Sequence, residues 1–167
     1  MDDLELDQRL TAHKVDQYLK HDFERYLRQC GAHRADISSP SMSGMPSSTF
    51  GNQQEEKLVE GLYAASVVDC VKHTITNCSD GDVRKPYQII LVEYYLKGMP
   101  GFKIAQKIGY SDRQFANKKR LALCEFADRF EYWKQVFKVQ DQPCLQVTKK
   151  CTKYAHNVQG KNAIIVT

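Results

Sequence analysis

The sequence has no run of about 18 apolar residues, so no helix that could cross a membrane is expected. No basic start followed by an apolar stretch is present either. Met1-Asp2-Asp3-Leu4-Glu5 is acidic, so no secretory signal and a cytoplasmic location are expected. None of the six cysteines, Cys30, Cys70, Cys78, Cys124, Cys144 and Cys151, stands in the two-residue spacing of a zinc knuckle or a dithiol redox motif. Free thiols are the expectation, as small apolar residues in the core or bystanders at the surface. Cys144, Cys151 and His156 match no standard zinc ligand set, so no metal is expected. The nucleophile elbow, the phosphate-binding loop and the His-Glu-x-x-His spacing are all missing, and the five histidines are scattered. Asp80 and Asp82 flank Gly81 without the other ligand positions of a calcium loop, which makes a capping turn. An enzyme is therefore not expected, and no cofactor.

What is present is an ordinary globular composition, 42% hydrophobic and 26% charged, over 167 residues. That excludes a wholly disordered chain, a collagen and a coiled-coil rod, and fits one domain with appendages. The formal net charge of +4 is unevenly placed. Residues 1–100 hold 11 basic and 15 acidic side chains, whereas residues 101–167 hold 13 and 5. Such asymmetry points to a polyanionic partner for the C-terminal part, or else to a solvated basic face.

Hydrophobic periodicity predicts an all-α protein. Val15, Tyr18, Leu19, Phe23, Tyr26, Leu27 and Cys30 form one stripe on a helix over about residues 11–30, which Gly31 ends. Residues 1–36 are thus an N-terminal amphipathic helix. That stripe is expected to pack on the rest of the chain or to make a homodimer. Residues 37–53, rich in Ser, Pro and Gly, read as a linker. A helix over 53–78 follows, with Leu58, Leu62, Ala65, Val68, Val71, Lys72 and Ile75 at helical spacing. Pro86 opens a short apolar helix that runs from Tyr87 to Lys97. Residues 54–132 make a helical domain, and residues 133–167 a poorly ordered basic tail. Within that tail Leu145-Gln146-Val147-Thr148 and Ala163 to Thr167 have strand-like composition, so a small hairpin is the alternative. Lys149, Lys150 and Lys153 are candidate contacts to a nucleic-acid backbone.

The informative stretch is about residues 102–130. Phe102 to Ile108 is a two-turn amphipathic helix, Gly109 ends it, and Ser111 caps the next helix with Asp112 in its first turn. The inner face of that second helix is Phe115, Ala122, Leu123, Phe126 and Phe130, and Ala105 is small enough for two helices to cross closely. This is the pattern of a helix-turn-helix, whose second helix enters the major groove. Base-reading candidates are Arg113, Gln114, Asn117, Lys118 and Arg120. Arg suits guanine, and Gln or Asn suits adenine. Lys103, Lys107, Ser111 and Lys119 are candidate phosphate contacts. An ordinary helical hairpin with a polar face is the plainer alternative.

The segment Ile104-Ala105-Gln106-Lys107-Ile108-Gly109-Tyr110-Ser111-Asp112-Arg113-Gln114-Phe115, with Ala122-Leu123 downstream, resembles region 4 of sigma factors. With the stretch from Ser39-Pro40 to Asn52, the helix from Ile89 to Gly98 and Leu123-Cys124-Glu125-Phe126-Ala127, the chain resembles the phage ArpU family of transcriptional regulators over roughly residues 15–132. The resemblance implies a phage- or prophage-encoded regulator of late lysis and packaging genes in the cytoplasm of a bacterial host. It implies double-stranded DNA as partner, and host RNA polymerase as a further one. Carried over by position, the resemblance implies Arg113, Gln114, Ala116 and Asn117 as base-facing residues, and two positions depart from the sigma pattern. Lys118 stands where sigma factors usually have an inward apolar residue, and Ala116 where they often have Arg, so a standard −35 element is not the expected target. Other readings are a small terminase-like DNA-packaging protein, which would form a ring, and a helical protein-interaction module.

Overall fold

A computed structural model describes residues 5–37 and 52–149, the side chains of 52–56 aside. The N-terminal stripe works as a helix, but not a regular one. α1 (Gln8–Gln17) runs through a π-helical turn (Tyr18–Asp22) into α2 (Phe23–Cys30). The Asp7 carboxylate caps α1 by accepting from the amides of Arg9 and Leu10. Gly31, at φ 73°, ends α2 in the left-handed conformation. The π turn widens the helix, its hydrogen bonds spanning five residues instead of four. An arginine outside the helix donates into it. Arg34, in the short α3 (Arg34–Ile37), donates to the Leu19 carbonyl at 2.8 Å and pairs with Glu24 at 2.6 Å. A second π turn (Val92–Leu96) follows α5 (Tyr87–Leu91), and Arg34 also donates to the Tyr95 carbonyl there at 2.6 Å. One guanidinium thus joins two widened turns.

Of the two uses expected for the stripe, packing on the rest of the chain is the one the structure has. Val15, Leu19, Phe23 and Leu27 are buried in one core with α4 (Asn52–Thr76) and α7 (Asp112–Val136). α4 buries Ala64, Val67, Val68, Cys70, Val71 and Ile75, because α2 and α7 both pack on it. Leu58 and Leu62, expected on its inner face, are exposed. α7 is the spine. It contacts α1, α4, α5 and α6 (Gly101–Ile108), and carries Ala122, Phe126 and Phe130 into the core, as the pattern predicts, with Ala127 beside them. It runs on past residue 130 to Val136.

The poorly ordered tail needs correction over residues 133–149. Lys138 adopts a positive φ of 57°, and the chain then folds back across α1 with Val139 and Leu145 buried. Asp7 N–H donates to the Val147 carbonyl at 2.7 Å, and Lys149 N–H to the Glu5 carbonyl at 3.1 Å. The strand-like 145–148 stretch makes one isolated antiparallel bridge, Leu6 to Thr148, and no strand forms among the described residues. Gln142 anchors the return. Its carbonyl accepts from the Tyr18 hydroxyl, and its amide donates to the hydroxyls of Tyr26 and Tyr63. The linker residues 38–51, the zinc candidates Cys151 and His156, Lys150, Lys153 and Ala163 to Thr167 lie outside the described residues. Among the described residues the architecture is mostly helical, and no helix is long and apolar enough to cross a membrane.

Candidate nucleic-acid interface

Ile90, Ile104, Ala105 and Phe115 form a small core of their own beneath α6 and the start of α7. The Phe115 ring lies so close to α6 that a Cβ on Gly101 would sit 2.7 Å from it, so this approach requires the glycine. Gly109 takes φ 73°, ends α6 and turns the chain. Ser111 then closes a capping box on α7. Its Oγ accepts from the Gln114 amide at 3.3 Å, and the Gln114 Oε1 accepts from the Ser111 N–H at 3.0 Å. The turn between the two helices is therefore fixed by a left-handed glycine, a capping serine and a shared aromatic.

At about 100° per residue, Arg113, Asn117 and Arg120 fall within about 60° of one another on α7. Opposite them, Phe115 faces the core. Arg113, Gln114, Ala116 and Asn117 are exposed, and Arg120 is half-buried. No ion pair engages Arg113 or Lys103 among the described residues. Arg120 donates to the Asn117 Oδ1 at 2.5 Å.

Two of the expected contacts point elsewhere. Lys119, expected on phosphate, is turned inward. Its ammonium lies 3.6 Å from the Tyr94 ring centre and 3.3 Å from Asp16, which commits its charge to joining α7 to α1. Lys118 donates to the Arg84 carbonyl at 2.5 Å, so its charge holds the 79–86 loop beside the turn. Tyr110 donates to the Val83 carbonyl of the same loop. That places exposed Arg84 and Lys85 next to the start of α7. These two residues escape a sequence reading, which sees only a capping turn at Asp80-Gly81-Asp82. The cap is real, since Asp82 accepts from the Arg84 amide at 2.8 Å.

Lys107 remains half-exposed but pairs with Glu93 at 2.9 Å, as does Lys97. Hydrogen bonds from Lys107 and then Lys97 hold the buried Glu93 carboxyl below its ordinary range, against the cost of its burial. Asp16 is also lowered. Burial pushes it up, but hydrogen bonds from Lys20 and Tyr95, with the charge of Lys119, outweigh that. Because both folded-state values are depressed, the stability they supply is full above the ordinary carboxylate range. It is lost as pH falls through their folded values. Urea midpoints should therefore drop between neutral pH and about pH 3, and Glu93→Gln should flatten part of that fall. An unchanged acid dependence in Glu93→Gln would show that the Glu93 pairs do not hold α6.

The five cysteines among the described residues are free, and no group of three His, Cys, Asp or Glu that could hold a metal occurs among those residues. Burial pushes the thiols of Cys70 and Cys78 up to about 12 and that of Cys124 up to about 11, so these three stay protonated at neutral pH.

Two short-linked helices, one presenting an exposed donor-rich stripe, define a helical protein with a candidate polyanion-binding face. No family model matches the chain, and no solved structure matches it. The chain is similar to the protein of Enterococcus hirae named "Putative autolysin regulatory protein ArpU". The two are 25% identical over 130 residues, which cover 77% of this chain and 91% of that protein. This similarity to a protein named as a regulator supports the resemblance to the ArpU family.

Proposed function

We propose that the chain is a sequence-specific, DNA-binding regulator of transcription in which α6 and α7 act as a helix-turn-helix. The observation that supports this best is the stripe of Arg113, Asn117 and Arg120. Arg113 and Asn117 are exposed and Arg120 half-buried along the first turns of a helix whose opposite side is locked by Phe115 and whose start is fixed by the Ser111–Gln114 box. A helix held at its base, with polar side chains projecting from its N-terminal turns, suits the major groove. Lys103, with Arg84 and Lys85 from the neighbouring loop, would contact phosphates. Arg113, Asn117 and Arg120 would meet base edges. The similarity to ArpU supports regulation, and autolysin or other late lysis genes of a phage or prophage are the proposed targets. A single reading helix covers few base pairs, so specificity also calls for a second half-site or a contact with RNA polymerase. The dimer surface would lie outside the buried α1–α2 stripe.

Two substitutions separate the roles. Arg113→Ala should weaken binding about tenfold or more on a preferred site and flatten the base preference beneath it. Lys103→Ala should weaken binding to all duplexes alike and reduce the salt slope by about one unit. Equal losses for both on every duplex would assign Arg113 to phosphate and remove α7 as the reading helix. Mass in solution tests the packaging alternative, because a ring of subunits would favour it.

A further inference from the structure

The structure fixes which ends of the polar side chains on α7 remain free. Arginine only donates hydrogen bonds, so the Asn117 atom that meets Arg120 at 2.5 Å must be the carbonyl oxygen. A backbone N–H also only donates, so the Gln114 atom that meets the Ser111 amide must likewise be its oxygen. Gln114 Oε1 accepts from both the N–H and the hydroxyl of Ser111, and Asn117 Oδ1 is turned towards Arg120. What Asn117 and Gln114 still turn outward is an NH₂ group. Arg113 and Arg120 have donors alone. Asp112 is the acceptor in this first turn, and it lies about 100° round the helix from Arg113, on the side of Lys119.

Resting on the reading of α7 as the recognition helix, we propose that its stripe selects an acceptor-only base edge, guanine above all and thymine next, and selects against adenine. In the major groove guanine shows two acceptors, N7 and O6, and thymine shows O4 beside its methyl group. Adenine and cytosine each present an amino donor there, which would face a donor on this helix. Bidentate recognition of adenine by Asn or Gln needs a side-chain oxygen aimed at the base, whereas that of Gln114 takes two bonds from Ser111 and that of Asn117 is held towards Arg120. Exposed Ala116, beside the stripe, suits the thymine methyl. This differs from the expectation by residue type, in which Gln114 and Asn117 read adenine. The pair Arg120–Asn117 and the box Ser111–Gln114 are thus specificity-determining through orientation.

The test is selection of duplexes from a random library with the full chain at physiological salt, followed by base-analogue interference on the recovered site. The expected motif has guanine at its strongest positions. Replacing those guanines with 7-deazaguanine, which lacks the N7 acceptor, should lower affinity about tenfold per position. Arg120→Met, checked for native helicity, frees the Asn117 oxygen and should move one position towards adenine. A motif led by adenine, sensitive to loss of the adenine amino group, would overturn the donor-only edge while leaving DNA recognition intact. A guanine motif indifferent to 7-deazaguanine would also overturn it. Recovery of no motif would overturn the reading of α7 itself, and this inference with it. The analogue experiment uses the unaltered protein, so it decides even if Arg120→Met fails to fold.

Discussion

Arg34→Ala is expected to lower stability by about 2–4 kcal/mol, seen as a fall in melting temperature of roughly 5–15 °C. Arg34 donates to the Leu19 carbonyl in the first π turn and to the Tyr95 carbonyl in the second, and it pairs with Glu24. Its removal leaves those carbonyls without their charged donor. A hydrogen bond to a charged group contributes about 1.5–3 kcal/mol, and the bonds of one side chain do not add fully. The guanidinium is partly exposed, so the Glu24 pair itself contributes little, and the carbonyl bonds account for most of the loss. Arg34→Lys keeps the charge but not the planar fork, so it should recover only a minor part. A melting temperature within about 2 °C of the parent for Arg34→Ala would show that the π turns need no external donor.

Gln142→Leu is expected to cost about 2–4 kcal/mol and to loosen the return of the chain over α1. The substitution keeps the approximate volume but removes the acceptor for Tyr18, a fully buried tyrosine, and the donors to Tyr26 and Tyr63. Leaving the buried Tyr18 hydroxyl unsatisfied dominates the loss. Tyr18→Phe removes the other half of that bond. The double variant Tyr18→Phe with Gln142→Leu should therefore cost less than the two single losses combined. Strict additivity would place the two side chains in separate networks. Hydrogen exchange should show Val147 and Lys149, whose amides bond to Thr11 and Glu5, losing protection in Gln142→Leu before α7 does.

The helices were legible where period and punctuation agreed. Gly31, Pro86, Gly109 and Ser111 each mark an element boundary, and the inner face of α7 from Phe115 to Phe130 is as its spacing predicts. The π turns were not legible, because one residue of slippage inside an apolar run leaves the pattern looking helical. The order of residues 137–149 was hidden for another reason. It depends on Gln142 meeting three tyrosines from distant parts of the chain, and a polar residue just before Pro143 carries no local sign of such partners. At the candidate interface, residue type identified Arg113 and Asn117 as exposed polar groups. It could not show that Lys119 is held by Asp16 and Tyr94, nor that Lys118 serves the loop carrying Arg84 and Lys85. Charge is visible in sequence, but the partner that neutralises it is set by tertiary packing.

These placements narrow the functional reading. Lys118 and Lys119 of α7 hold the scaffold together, which leaves exposed Arg113 and Asn117, with half-buried Arg120 beside them, as the stripe that faces outward. On the proposed reading such a face would contribute specificity through few contacts, each of large effect, with Lys103, Arg84 and Lys85 supplying general attraction.

The most direct test is the affinity of the full chain for a selected duplex and for a scrambled duplex of equal length, measured from about 50 to about 200 mM salt. Sequence-specific recognition through α7 predicts that binding to the selected duplex persists while binding to the scrambled one collapses, and that Arg113→Ala brings the two curves together. Parallel curves for the parent protein, falling equally with salt, would contradict it and leave only a basic helical surface.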